Sequence, residues 1–380
     1  MANTLTGIIP ALYEAMNVVS REMVGFIPAV MRDSNVARAA KDQTVRSPIG
    51  VSGALEDVTP GQNPANTGGT TVSYVDVTIS KSRAAPILWT GEEQRGVGTN
   101  GTLNNILRDQ FADGMRKLVN EIEVDIFTAA YKASSRAWGT AGTAPFGTAG
   151  NLSDFAGVAR ILDDNGAPMV GRQLVLGSAA MANLRGIQSV LFKVNEAGSN
   201  DMLRDGMTDR VQNFALRYSG GISAHTKGSG ASYQLSAAGA VGDTSVSVDT
   251  GSGTILAGDI VTIAGTSDKY VVNSALSGSS FGIGKPGLRA IEADNDAVTV
   301  GNSYTPNLAF AQSSIVLATR APALPEGGDS ADDRTTVIDP FSGLAFEVAL
   351  YRQYRQVKYE IALAWGVGVP NGAHIATLIG

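Results

Sequence analysis

The stretch Gly278-Ser279-Ser280-Phe281-Gly282 has the spacing of a nucleophile elbow, in which a strained strand-to-helix turn exposes a serine hydroxyl. A serine nucleophile needs a base, and the only histidines are His225 and His374. No helix pattern follows Ser280 and its surroundings are rich in Gly and Ser, so turn chemistry is the preferred reading. Gly282-Ile283-Gly284-Lys285-Pro286 has the look of a phosphate loop, yet it lacks the required glycine spacing and puts Pro286 where Ser or Thr would meet magnesium. Asp294-Asn295-Asp296 lacks the following Gly and the distal Glu of a calcium loop. Glu92-Glu93 is a carboxylate pair suited in principle to acid-base work, but adjacent side chains diverge in regular structure and Arg95 offers an ordinary ion-pair partner. The chain has no cysteine, which excludes disulfides, thiolate zinc sites and a thiol nucleophile. The reading is therefore of a non-enzyme with no catalytic, cofactor-binding or metal residue and no cofactor.

Composition narrows the class further. At 380 residues the chain exceeds one typical domain, and 43% hydrophobic against 17% charged residues supplies enough apolar surface to fold. A net charge of -6 argues against general nucleic-acid binding, which relies on Lys and Arg to displace phosphate counterions. The first residues lack a basic leader, and Pro10 and Glu14 interrupt their apolar run, so they do not read as a signal peptide. No run approaches the apolar length that spans a bilayer, and a protein made and used in the cytoplasm, with no membrane partner, is expected.

The elements that would position functional residues are legible in the periodicity. Leu12, Met16, Val19 and Met23 step as one face of a short helix over residues 8 to 24; it either packs on its own domain or lies as an arm on a neighbouring subunit. Strand-like flanks at Thr44 to Val51 and Thr71 to Ser80 enclose the polar, turn-rich stretch Thr59 to Gly69, which predicts a projecting β-hairpin without its own core. Leu103, Leu107, Phe111, Met115, Leu118, Ile122 and Ile126 form one stripe, predicting a long amphipathic helix over 102–134, with Asp113 able to pair with Lys117 and Gly114 weakening it locally.

Residues 137 to 226 read as an α+β lobe, with helices at Ser153 to Asp163 and near Ser178 to Leu184 around a strand at Leu174-Val175-Leu176. Residues 228 to 304 shift to Gly, Ser, Thr, Val and Asp with short alternations, predicting a small, solvated and separable all-β module. Its seven acids outnumber its three bases. Pro322 to Arg334 reads as a polar loop, followed after a turn at Pro340 to Gly343 by strands at Leu344 to Leu350 and Val357 to Val369. In the last strand Lys358, Glu360, Ala362 and Ala364 are expected on the face opposite the apolar one, and a closing antiparallel sheet should pack on the long helix.

This order of parts resembles the major capsid proteins with the Hong Kong 97-type fold, and more closely the branch typified by the short-tailed Salmonella phages, which carry an inserted β domain. The resemblance rests on Ala85-Pro86-Ile87-Leu88-Trp89-Thr90-Gly91-Glu92-Glu93-Gln94-Arg95-Gly96, Leu107-Arg108-Asp109-Gln110-Phe111 and Leu118-Val119-Asn120-Glu121-Ile122-Glu123. It rests further on Gly139-Thr140-Ala141-Gly142-Thr143-Ala144-Pro145-Phe146-Gly147 and Ile255-Leu256-Ala257-Gly258-Asp259-Ile260-Val261. It implies an α+β chain divided into an N-terminal arm (1–43), an extended loop or E-loop (44–90), a peripheral domain with the spine helix (91–140), an axial domain (141–227), an inserted β domain (228–304) and closing axial and peripheral strands (305–380). It further implies pentamers and hexamers of an icosahedral phage head, assembled in the host cytoplasm as a precursor shell that expands and found in the virion. The implied partners are copies of itself, a scaffolding protein, a portal protein, a decoration protein and enclosed double-stranded DNA bound without sequence specificity. Candidate intersubunit contacts are Leu12, Met16, Val19 and Phe26 in the arm, Glu56, Asp57, Asn63 and Asn66 in the hairpin, and Glu92, Glu93 and Arg95. Crosslinking chemistry is not carried over to Lys81, for which no acceptor is identified. A surface fibre or adhesin is the alternative reading, and a serine hydrolase acting through Ser280 the third.

Overall fold

The computed structural model describes residues 24–34, 37–52, 60–61, 71–98, 103–188, 210–338 and 343–380. Phe26, Ile27, Ala29 and Val30 enter the core directly and lead into β1 (Met31–Ser34). β2 (Thr44–Ser52) and β3 (Thr71–Thr78) form the expected hairpin, with Thr44 opposite Thr78 and Ser52 opposite Thr71. The register slips between Pro48 and Val51, where proline has no N–H to give to the ladder. β4 (Lys81–Thr90) runs into a short helix, α1 (Gly91–Gly98), and then into α2 (Leu103–Ala133), the predicted spine. Its 31 residues span roughly 46 Å at 1.5 Å per residue. From Leu107 to Ile126 the predicted stripe is buried throughout. Asp113 and Lys117 pair at 2.7 Å on the wet face. Gly114 has a packing role: a Cβ there would sit 3.2 Å from Ala85 and 3.3 Å from Ile361, so its absence lets the helix lie close on the sheet.

β5 (Arg136–Gly139), α3 (Ser153–Asp164), β6 (Arg172–Leu176), α4 (Ser178–Gly186), β7 (Arg210–Val211) and β8 (Phe214–Tyr218) build the α+β lobe. Phe155, Val158, Ile161 and Leu162 of α3 pack with Leu174, Leu176, Met181 and Phe214 in its core.

β9 (Tyr233–Leu235), β10 (Ser245–Asp249), β11 (Ile260–Ile263), β12 (Tyr270–Ser277), β13 (Ser280–Ile283) and β14 (Ala297–Val300) pair in the order β11-β14-β9-β10-β13-β12, and β12 returns to β11. Every pairing is antiparallel, so six strands close into a barrel without a free edge. The all-β expectation agrees with this, and the barrel is joined to the neighbouring sheet. Tyr270 pairs with Arg136 of β5, and Ala137, Ile260, Val271, Tyr304 and Ile379 form a shared apolar joint.

β15 (Pro306–Ala311), β16 (Val316–Arg320), β17 (Ala331–Ile338), β18 (Ala345–Gln353), β19 (Gln356–Gly368) and β20 (Ile375–Ile379) complete the chain. β15 and β20 join β5, β6, β8 and β7 in the lobe's sheet, which mixes parallel and antiparallel pairs. The other sheet centres on β19, with β4 along one edge and β18 and then β16 along the other. β1 and β17 lie at its margins.

Two expectations are corrected in this sheet. Residues 331–334 of the predicted loop belong to β17; their strand pattern is masked by charges that find partners in the fold, Arg334 with Asp329 and Asp332 with Arg352 of β18. Ala362 and Ala364, expected on the face opposite the apolar one, are both buried, and the root of the β2–β3 hairpin covers Ala364 through Val77 and Ile79. Gly366 admits that root, since a Cβ would lie 2.1 Å from the Thr78 carbonyl oxygen. The turn expected at Pro340 to Gly343 falls mostly outside the described residues.

Candidate functional site

The sites proposed for chemistry dissolve into structure. Ser280 opens β13 and pairs with Ser247 and Ser277, so it stands in a ladder and not on a strand-to-helix elbow. Gly284 has no room for a phosphate: a Cβ alone would approach the Ser134 carbonyl to 2.1 Å. Asp296 accepts the Ala293 N–H at 2.7 Å in a turn where Asn295 takes a positive φ of 66°. Among the described residues no group of His, Cys, Asp and Glu is arranged to hold a metal, and no helix is long and apolar enough to cross a membrane.

What the fold does build is a set of anchors around the spine helix. Glu123, on α2, is buried, with its Oε1 accepting the Ile27 N–H at 2.8 Å. Its Oε2 accepts the Phe26 N–H at 3.0 Å, the Gly25 N–H at 3.3 Å and the Ser219 hydroxyl at 2.7 Å. One carboxylate thus fixes the path along which the N-terminal segment reaches the core. Burial pushes its pKa above the ordinary value, while the four donors pull the other way. The sequence reading missed this role because Glu123 has the look of one more charge on an amphipathic helix. Its place beside the buried stripe residues Ile122 and Ile126 was the available signal.

On the next face of the spine, Lys81 bonds Glu121 and Asp125, each at 2.8 Å, and Asp125 also accepts the Trp365 indole N–H at 2.9 Å. Burial pulls the Lys81 pKa down, but the bonds to Asp125 and Glu121 outweigh it and hold the ammonium protonated above its usual range. That is the opposite of what a nucleophilic amine needs. Trp89 donates to Gln110 at 2.8 Å and ties the far end of β4 to the same helix.

β4 pairs only with β19 among the described strands, which leaves its outer edge open beside the spine. Between them lies a groove of about 750 Å³ whose floor includes Ala85 and Gly114, with exposed Leu88 and Ile106 at its sides and Asp109, Asp113 and Glu121 along the helix. Pro86 stands in this edge, where a missing N–H costs least.

A third cluster joins the barrel to the spine. His225 Nε2 lies 2.8 Å from Asp259 Oδ1 and its Nδ1 lies 3.4 Å from the Tyr131 hydroxyl of α2. Asp259 also accepts the Gly228 and Leu256 N–H groups, and Tyr304 donates to the Gly258 carbonyl at 2.7 Å. Although Asp, His and Tyr are aligned, the cluster is buried and fully engaged in holding backbone, so it acts as a joint.

The predicted contact residues fare differently. Leu12, Met16, Val19, Glu56, Asp57, Asn63 and Asn66 lie outside the described residues. Phe26 is corrected: it is fully buried in its own subunit, near-parallel to Phe310 at 6.4 Å and tilted to Phe127 at 5.9 Å, and so is closed to any neighbour. Glu92, Glu93 and Arg95 are exposed on α1. Glu93 forms a capping box: it accepts the Thr90 N–H at 2.8 Å while the Thr90 hydroxyl accepts the Glu93 N–H at 3.2 Å. The Thr90 backbone bond accordingly holds the Glu93 carboxyl below its usual range.

The sequence matches no family model and no curated protein. Solved structures of phage and capsid particles resemble the chain. A chain from Mycobacterium phage Che8 is 14% identical, aligned over 90% of this chain and 88% of its own, with a TM-score of 0.44. One from the capsid of the cyanophage P-SCSP1u is 12% identical over 93% and 87%, with a TM-score of 0.44. One from the capsid of a native GTA particle is 12% identical over 94% and 90%, with a TM-score of 0.43.

Proposed function

We propose that this chain is a shell-forming structural subunit, a major capsid protein that self-assembles into the pentamers and hexamers of an icosahedral phage head enclosing double-stranded DNA. The observation that carries the reading is the β2–β3 hairpin. Its root packs on its own subunit through Val45, Val75 and Val77. Farther out, Tyr74 is 56% exposed and the Arg46–Asp76 pair stands in solvent at 3.1 Å. A hairpin without its own core gains stability by lying on another surface, and the groove beside the open edge of β4 in a second copy offers such a surface. The anchors on α2 suit the spine to carry load between such contacts. A precursor shell that expands, a scaffolding protein, a portal, a decoration protein and assembly in a host cytoplasm follow from this reading. No catalysis is required.

The test is negative-stain microscopy of the chain expressed alone and then with its neighbouring genes, alongside a variant lacking Thr59 to Gly69. Closed shells of uniform diameter are expected from the parent, with the variant folded but poor in particles. Persistent small oligomers from the parent in both preparations would refute the shell reading and favour the fibre alternative. An unchanged particle yield from the variant would refute the arm role of the hairpin.

A further inference from the structure

The loops that join β9 to β10 and β13 to β14 run antiparallel as a short ribbon at one end of the barrel. Gly239 and Glu292 exchange both backbone hydrogen bonds, at 3.1 and 3.0 Å. The Gly242 N–H reaches the Leu288 carbonyl at 2.8 Å, and the Leu288 N–H reaches that of Asp243 at 3.0 Å. Val241 and Ile291 stand exposed on this ribbon, while two of its side chains turn inward. Leu288 joins the apolar core of the barrel; the other is the carboxyl of Glu292, a residue only 2% exposed. Gly239 lies over both, since a Cβ there would sit 2.5 Å from Leu288 Cδ1 and 3.7 Å from the Glu292 Cβ.

A buried carboxylate is ordinarily held by a cation or by several donors. Asp259 of the same barrel is: it accepts the Gly228 and Leu256 N–H groups and faces His225 Nε2 at 2.8 Å. Glu292 has the Thr266 hydroxyl, and its Oε1 has no partner among the described residues. The charges that act on it are negative, Asp296 from its own loop and Asp268 from the turn before β12. Tyr270 of β12 brings a phenol, whose oxygen already accepts the Arg289 N–H at 3.0 Å. Arg136 of β5 is committed to Asp268 and Asp164 at 3.1 Å each, and the Arg289 guanidinium turns to Asp164 at 3.7 Å. Burial first, then Asp296, pushes the Glu292 carboxyl above its ordinary value. We propose that Glu292 is a proton-operated latch: its neutral carboxyl closes the ribbon on the barrel, and its ionisation lets the ribbon open. The closed ribbon is fully stabilised below the ordinary 4.5 and loses that stabilisation as pH rises through the higher folded value. Opening bares Leu288 beside Val241 and Ile291, so the latch sets how much apolar surface this end of the barrel presents. The inference concerns the subunit by itself and stands apart from the shell reading.

Hydrogen exchange of the full-length chain tests it, with protection taken relative to the unstructured rate at each pH. Between about pH 5 and about pH 8 the parent's amides at 239–242 and 288–292 should lose about tenfold in protection, within the range for one unsatisfied buried group. The amides of β11 and β14 should not follow. Glu292→Gln puts an amide donor where the acid carries its O–H, so the ribbon should stay protected at both pH values. Asp296→Asn keeps an oxygen for the Ala293 N–H and removes one like charge, so the loss should shrink. Parent protection that is flat with pH, or a glutamine variant that loses protection as the parent does, would overturn the latch. A loss shared equally by β11 and β14 would overturn it as well, because Glu292 would then act on the barrel as a whole. Should Glu292→Gln fail to fold, Asp296→Asn decides: a smaller loss supports the latch and an unaltered one refutes it.

Discussion

Replacing Glu123 by alanine removes the single acceptor shared by four buried donors. The Gly25, Phe26 and Ile27 N–H groups and the Ser219 hydroxyl would be left facing an apolar gap under the N-terminal segment. An unsatisfied buried donor costs about 1–3 kcal/mol, but these share one acceptor and a water entering the gap would serve some of them, so the costs do not add. The expected loss is about 3–5 kcal/mol, the range for removing one member of a buried charged network. Glu123→Gln is the sharper test. Its carbonyl oxygen can replace Oε2 for Gly25, Phe26 and Ser219, but its amide then points a donor at the Ile27 N–H, for an expected loss of about 1–3 kcal/mol. Urea unfolding followed by tryptophan fluorescence gives both values, and hydrogen exchange at the amides of residues 25–27 shows whether the loss is at the anchor. An alanine variant within about 0.5 kcal/mol of the parent, or a glutamine variant worse than alanine, would refute the assignment.

Two further outcomes follow from particular contacts. The Tyr351 hydroxyl at 2.7 Å and Arg334 at 2.6 Å hold the Asp329 carboxyl below its ordinary 3.8, so the stability this group contributes is present above pH 3.8 and is lost as pH falls through its lower folded value. Burial, then Asp329, pushes the Tyr351 hydroxyl up to about 12; its contribution is fully present below pH 10 and is lost as pH rises from there through about 12. Asp329→Asn should therefore lower the urea midpoint at neutral pH and converge with the parent in acid; parallel profiles throughout would contradict the network. Gly157→Ala on α3 would place a Cβ 2.2 Å from the Trp138 indole, so about 1–3 kcal/mol should be lost where a helical Gly→Ala change ordinarily gains about 0.5–1 kcal/mol. The Trp138 emission should shift as the ring moves, and a stabilised variant with unchanged emission would contradict the packing.

Where the hydrophobic pattern dominates, the sequence was legible. The spine runs over Leu103–Ala133 where the stripe predicts 102–134, and the hairpin strands fall within two residues of their expected ends. The losses fall where polar or small residues serve a partner distant in sequence. β17 hides among Asp332, Asp333 and Arg334 because Asp332 pairs with Arg352 on the next strand, and Ala364 lies on the face opposite the apolar one until Val77 and Ile79 cover it. Among the predicted contacts, Phe26 was read as an arm residue because a phenylalanine near a chain end has the same pattern whether it meets its own core or a neighbour's. Only the positions of Phe310 and Phe127 decide.

The sequence alone determined that the chain folds as an α+β protein around a long amphipathic helix, that it carries a β-rich segment over 228–304, and that no familiar catalytic constellation is present. These follow from composition and from periods of two and about 3.6, which are local properties of the chain. The tertiary structure alone decided that the segment closes as a six-stranded barrel bonded to β5, that Glu123 anchors residues 25–27 from 96 to 98 positions away, and that Gly239 pairs with Glu292 at the end of that barrel. Each of those facts is a pairing between residues far apart in sequence, set by how the packed elements bring them together, and no local period encodes it.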